Sequence, residues 1–184
     1  GGSCGLIAWS LLDQYLFADI ALIQASLCAR DIPSGNFIER QVGSLLPQDQ
    51  DLVMVRMNGT SILHLLNNAL EYAVEGNSPS AYPYTAGLRY NVNTTATGAA
   101  NRISSVESMS ASKRWIPFVE SDLFSVITTK DLAAGQETGY KDLGPVNARA
   151  TGLGTRQALL DYVAEWKVLY VPPIDLYSIQ GYIS

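Results

Sequence analysis

The sequence holds one histidine, two cysteines and three methionines in 184 residues, and only 16% of its residues are charged. A lone histidine, His64, leaves no Ser-His-Asp set that avoids that one residue, and no Gly-x-Ser-x-Gly nucleophile motif occurs. His64 falls within an apolar-striped helix and reads as a surface or boundary side chain. No basic cluster is present: 12 lysines and arginines face 17 carboxylates, for a net charge of -5, so nothing is suited to neutralising a run of backbone phosphates and nucleic acid is not an expected partner. No apolar run approaches the ~18 residues of a membrane span, because Asp13, Asp19 and Gln24 interrupt the longest candidates. The opening Gly1-Gly2-Ser3 shows no basic segment leading into an apolar stretch, so a secretory signal, if used, was removed or lay upstream.

What is present is an apolar fraction of 47%, enough for one well-buried core and too short a chain for two ordinary domains, so residues 1–184 are expected to form a single domain. Ala8, Leu11, Leu12, Tyr15 and Leu16 recur at helical spacing, and the run Ala18 to Ile23 then reads as a buried strand. Asp31 to Asn36 concentrates turn formers; Phe37 to Leu46 predicts a short helix that stops before Pro47. Leu52 to Met57 reads as a strand. After Asn58-Gly59, Thr60 or Ser61 is expected to cap a helix carrying Ile62, Leu65, Leu66, Ala69, Leu70 and Ala73 on one face.

Residues 76 to 86 read as an irregular stretch. Leu88 to Val92, Arg102 to Val106 and Leu123 to Thr128 then predict antiparallel strands, and Thr155 is expected to cap a last helix ending ahead of Pro172-Pro173. Helices and strands mix without strict alternation, which points to an α+β fold with a mixed sheet packed by helices. Cys4 and Cys28 are consistent with buried thiols or with a disulfide, and Asn58-Gly59-Thr60 and Asn93-Thr94-Thr95 are glycan acceptor triplets. Asp19 and Asp31 read as turn and cap residues.

Ala18-Asp19-Ile20-Ala21-Leu22-Ile23, Asp31-Ile32-Pro33-Ser34-Gly35 and Leu45-Leu46-Pro47 resemble, in order and spacing, landmarks of the 5'-nucleotidase C-terminal domain family. The resemblance continues through Leu52 to Val74, Ala86-Gly87-Leu88-Arg89-Tyr90, Asn101-Arg102-Ile103 and Gly139-Tyr140 to the helix at Leu159, and spans Gly5 to Ile183. It implies a nucleotide-gripping domain that normally works beside an N-terminal metallophosphatase domain holding two divalent metals. Those metals would belong to that other domain: a dinuclear site needs several converging nitrogen and oxygen ligands, which one histidine cannot supply. No catalytic residue, metal ligand or cofactor is therefore assigned to this chain.

Set against the family's ligand motifs, the chain departs at most positions. Where the family has Asn-x-Gly-Gly-x-Arg on the phosphate side, this sequence runs Gln24-Ala25-Ser26-Leu27-Cys28-Ala29, with Arg30 one position further on. Tyr82 matches the first of two base-stacking rings, and Leu132 stands at the second. The segment Thr129 to Tyr140 keeps the framework but carries Gln136-Glu137 for a glycine pair and Thr138 for the ribose-side aspartate; Gln48-Asp49-Gln50 replaces Phe-Gly-Asn. Residual ligand candidates are thus Tyr82, Gln24, Arg30 and Lys130.

By the same resemblance, Cys4 and Cys28 both border the ligand cleft, so a disulfide closing a loop of about 24 residues is expected, stabilising by roughly 3 kcal/mol. It implies a secreted, extracellular or lumenal/periplasmic location. Two functions follow: a nucleotide-recognition domain with a weakened site beside an upstream catalytic half, or a non-enzymatic interaction subunit with a protein partner. Trp9 replaces the family's acidic residue on the first helix, either as core packing or as an interface anchor.

Overall fold

A computed structural model describes residues 2–96, 102–141, 148–170 and 172–179. Asn101 and the end of the chain at Gly181 to Ile183 lie outside the described residues. The first helix, α1 (Gly2–Gln14), leads into strand β1 (Ile20–Gln24). The short helix α2 (Arg40–Leu45) follows, then strand β2 (Asp51–Asn58) and helix α3 (Gly59–Val74). Four strands come next: β3 (Pro83–Ala86), β4 (Leu88–Val92), β5 (Ile103–Met109) and β6 (Trp115–Pro117). Strand β7 (Leu123–Thr129), the single turn α4 (Lys130–Ala133), strand β8 (Arg149–Gly154) and helix α5 (Thr155–Trp166) complete the fold.

Five strands form one mixed sheet in the order β3-β1-β7-β2-β8, and β4-β5-β6 form a second, antiparallel sheet. Within the larger sheet β1 and β7 are parallel, while β1–β3, β2–β7 and β2–β8 are antiparallel. The two-residue periodicity of the strands assigns each side chain to a face. Ile20, Leu22, Val53, Val55, Met57 and Val126 join α3, Leu88 and Tyr140 in one core. Ala21, Ile23, Leu52 and Ile127 join α1, α2 and α5 in the other. The result is a helix-covered mixed sheet, in agreement with the α+β expectation.

The central strands β1 and β7 are buried on both sides because they carry residues of low polarity at consecutive positions, not in alternation. Helix α3 buries Ile62, Leu65, Leu66, Ala69 and Leu70 along one stripe, each large side chain worth about 1.5–3 kcal/mol of transfer free energy. Its N-cap is the side chain of Asn58, whose Oδ1 accepts from Ser61 N at 2.8 Å; Thr60 and Ser61 are already inside the helix. Thr155 likewise sits one residue inside α5. The partner that completes this helix start is Asp49, whose Oδ1 accepts from Thr155 Oγ1 and from Arg156 N.

Other departures have local causes. Tyr15 and Leu16 continue the helical spacing but lie beyond α1, where Ala18 N donates to Tyr15 O in a turn. Helix α2 starts at Arg40, three residues later than the apolar pattern suggests, and Gln41 Oε1 accepts from Ile38 N just ahead of it. Strand β3 lies inside the stretch read as irregular, its single tyrosine and its proline masking the pairing with β1. Strand β7 joins the large sheet beside β1 and β2 and does not pair with β4 or β5. Strands β6 and β8 carried no alternating signal: β6 is three residues long, and β8 has glycines at 152 and 154, the first at φ +81°.

Candidate functional site

The parallel pair β1 and β7 ends on one edge of the large sheet, where β2 begins. Register places Leu52 opposite Thr129 and Gln24 opposite Pro83, so the edge runs from Tyr82 through Gln24 and Lys130 to Asp51. Open sheets favour ligands at the carboxyl ends of parallel strands, where loops can approach without disturbing the core. Three of the four sequence candidates therefore share this edge. The loop that carries Arg30 is tied down on either side of it: Ala29 N donates to Leu45 O beside α2, and Ile32 N donates to Ser3 Oγ at the start of α1.

Tyr82 closes a short 3-10 turn at Pro79–Ala81 and precedes β3. Its carbonyl accepts from Ala25 N at 2.9 Å, tying it to the loop after β1, and its ring meets Tyr84 edge-on at 5.3 Å. It is half-buried against the α3-side core. Beneath it, Tyr140 is wholly buried and donates from its hydroxyl to Ala81 O at 2.9 Å. Burial, followed by the charge of Glu137 and the proximity of Tyr82, holds the Tyr140 hydroxyl far above the usual phenol range. Gly139 supplies the turn that seats it: φ is +85°, and a Cβ would stand 3.2 Å from Ala69 Cα on α3. The Gly139-Tyr140 pair is therefore a support for Tyr82, a role hidden in the sequence because the two segments are about 60 residues apart.

Gln24 is 4% exposed, and its Oε1 is buried with no hydrogen-bond partner among the described residues. Lys130 is two-thirds exposed and stands 4.0 Å from the Asp51 carboxylate, a loose surface pair worth little by itself. Leu132 is fully buried and packs into the α3-side core, so no second ring faces Tyr82 from that position. Thr138 is exposed. His64 is exposed on α3, within 3.3 Å of Asn68 Nδ2. Among the described residues no group of three or more His, Cys, Asp or Glu side chains could hold a metal ion, and no helix is long and apolar enough to cross a membrane.

Cys4 on α1 and Cys28 in the loop after β1 form a disulfide, with Cα atoms 5.7 Å apart. Ser3 Oγ reinforces the same junction by donating to Asp31 Oδ1 and accepting from Ile32 N. Asp19 acts at the other end of β1, accepting from Ser125 N. Trp9 packs against the α1-side core. Asn58 and Asn93 are both exposed, and Asn93 Oδ1 accepts from the Thr95 backbone and hydroxyl within its own triplet.

A family profile described as the 5'-nucleotidase C-terminal domain matches residues 5–143. The chain belongs to this family. Among curated proteins it is 29% identical over 139 residues to the NAD 5'-nucleotidase of Haemophilus influenzae, covering 75% of this chain and 23% of that one. It is 26% identical over 153 residues to a probable 5'-nucleotidase of Treponema pallidum, covering 81% and 26%. The fold superposes on the H. influenzae NAD nucleotidase structure with a TM-score of 0.83 at 23% identity, covering 100% of this chain and 32% of that one. A 5'-nucleotidase precursor from Thermus thermophilus gives the same TM-score and identity, covering 95% and 34%. The chain thus spans about a quarter of the length of these curated relatives and corresponds to their C-terminal domain. The family's metals sit in the N-terminal catalytic domain, which these residues do not include.

Proposed function

We propose that residues 1–184 form one recognition domain that binds the base and sugar of a nucleoside or nucleotide at the Tyr82 edge, with weakened contacts, while hydrolysis is carried out by a separate metal-bearing half. The observation that carries this reading is Gln24: a buried side-chain oxygen with no partner among the described residues, across the β1–β3 pairing from the residue that follows Tyr82. An unsatisfied buried acceptor costs about 1–3 kcal/mol, a cost removed when a ligand N–H or O–H donates to it. Tyr82 offers a π-face for a base, and Lys130 offers the cation at this edge. The weakening follows from Leu132, which is committed to the core.

The disulfide supports a secreted, extracellular or periplasmic setting, where such bonds persist, and glycans at Asn58 and Asn93 would fit a secretory route. The alternative role, an interaction subunit without ligand, is favoured by the same filled position at Leu132. Calorimetric titration with AMP and adenosine under non-reducing conditions separates the two. Binding that is weakened at least tenfold by Tyr82→Ala and by Gln24→Ala is the expected result. No heat up to millimolar ligand would remove the recognition reading.

A further inference from the structure

Asn58-Gly59 is the one Asn-Gly pair in the sequence, and it stands at the junction of β2 and α3. In such a pair the backbone nitrogen of the glycine can attack the side-chain amide carbon of the asparagine, because no Cβ on the glycine hinders the approach. Gly59 N bonds to Asn58 Cγ, ammonia leaves with Nδ2 and the amide proton of Gly59, and a five-membered succinimide results. Water then opens the ring at either carbonyl, giving aspartate or isoaspartate. No oxidant, metal or further reactant enters the balance.

The fold requires glycine at this position for a separate reason. A Cβ on Gly59 would stand 2.7 Å from Glu120 Cα and 2.8 Å from both Phe118 Cε1 and Val119 O, so the segment 118–122 that joins β6 to β7 can lie on the start of α3 only over a glycine. The residue that seats this segment thereby makes Asn58 reactive, and the segment in turn holds the pair in an unreactive geometry. Gly59 N, the attacking atom, donates to Asp122 O at 3.0 Å, and Thr60 N donates to Glu120 O at 3.0 Å. Asn58 Oδ1 is fixed by Ser61 N. Ring closure needs Gly59 N nearly eclipsed with Asn58 Cβ, and at ψ 160° the two are far from eclipsed. Asn58 itself is exposed, so water is at hand.

We propose that Asn58 is a self-modification site gated by the segment 118–122: it keeps its amide while the segment is down and converts to aspartate and isoaspartate when the segment lifts. The segment is built to open locally. Val119 to Asp122 are all exposed, and the apolar contact that anchors them is the Phe118 ring, stacked on Phe124 with centroids 4.8 Å apart. Lightly buried segments of this kind open more often than the fold as a whole. The two products differ in consequence. Aspartate keeps an acceptor oxygen for Ser61 N and caps α3 as asparagine does. Isoaspartate adds a methylene to the main chain between β2 and α3 and leaves a shorter side group, so the cap is lost. Both products lack Nδ2, the atom that would carry a glycan in the triplet Asn58-Gly59-Thr60, so deamidation and glycosylation exclude each other at this residue.

Peptide mass mapping of the unglycosylated, oxidised 184-residue chain during incubation in mildly alkaline buffer tests this. Asn58 is expected to convert at least about tenfold more slowly in the folded chain than in the urea-unfolded chain, where it should convert ahead of every other asparagine. Phe118→Ala, which withdraws the ring from Gly59, is expected to speed conversion of Asn58 in the folded chain and to leave Asn77, in the turn after α3, at its wild-type rate. In the wild-type chain, urea below the unfolding transition should speed Asn58 without any substitution. A folded chain that converts Asn58 at the unfolded rate overturns the proposal, as does an Asn58 that stays intact after unfolding. An unchanged rate in folded Phe118→Ala overturns the gating, as does a wild-type rate that rises only with the global unfolding transition.

Discussion

The two faces of the large sheet are held by different means. On the α3 face, stability comes from close apolar packing: Leu65, Leu66, Leu70, Leu132 and Tyr140 are almost or wholly buried, and the second sheet closes over them. That face also contains a buried guanidinium, Arg102, paired with Glu75 just past the end of α3. On the α1 face, Ile7, Leu11, Ile23, Leu46 and Leu159 are just as deeply buried, and covalent and polar joints are added to that packing. The Cys4–Cys28 disulfide fixes α1 to the loop after β1, and Arg156 donates from Nε to Leu46 O at 2.7 Å, holding α5 to the end of α2. The loop that departs most from the family pattern runs over this stapled face.

The contrast is tested most strongly by removing one large side chain from the packed face. Leu66→Ala, at a fully buried position on α3, is expected to cost about 3–4 kcal/mol, the sum of lost transfer energy and a residual cavity. Urea unfolding with the disulfide intact measures it; a loss below about 1 kcal/mol would mean that this face collapses around the gap and is not tightly packed. Cys28→Ser tests the stapled face. Opening a 24-residue link is expected to cost about 3 kcal/mol, or roughly 6–12 °C in Tm for a chain of this size, and added dithiothreitol should lower the wild type to the same value. Because the two sites lie on opposite faces of the sheet, the double variant should lose the sum of the two within about 0.5 kcal/mol. A larger coupling would show that the faces are not independent.

The packed face was also the more legible one in the sequence. The stripe from Ile62 to Leu70 announces α3, and the largely apolar run from Leu52 to Met57 announces β2, since both patterns are dictated directly by burial. Strands β3 and β8 were not visible, because proline, alanine and glycine interrupt any alternating apolar pattern, and their strand conformation is imposed by neighbours already in the sheet. Cap residues were misplaced by one to three positions for a similar reason: Asn58 and Asp49 act through contacts fixed only once the strands end. At the proposed site, family spacing suggests Tyr82, Gln24 and Lys130, and the register of β1, β3 and β7 puts them along one sheet edge. Their support could not be read from the sequence, because it depends on Tyr140 reaching Ala81 across the core. The anchoring of the loop that carries Arg30 was equally hidden, since it depends on the disulfide and on Ser3, about 29 residues earlier in the chain.

Tyr140 joins the packed face to the ligand edge, and its substitution has the smallest expected effect on stability and the most specific signature. Tyr140→Phe preserves the packing but leaves the buried Ala81 carbonyl without its donor, a loss of about 1–2 kcal/mol. In the wild type the folded-state pKa of this hydroxyl is raised, first by burial, then by Glu137 and Tyr82. Above the unfolded-state value of about 10 the unfolded chain releases the proton and the folded chain keeps it, so stability falls as pH rises, by up to about 1.4 kcal/mol per pH unit. Below that value the full contribution is present. The Phe variant lacks this proton and should show a shallower decline above pH 10. Tyr162 on α5, raised by burial and then by Asp13 and Glu165, contributes to both curves and cancels in the difference. Parallel curves would mean that Tyr140 ionises alike in both states, and that the packed face admits water up to the support of Tyr82.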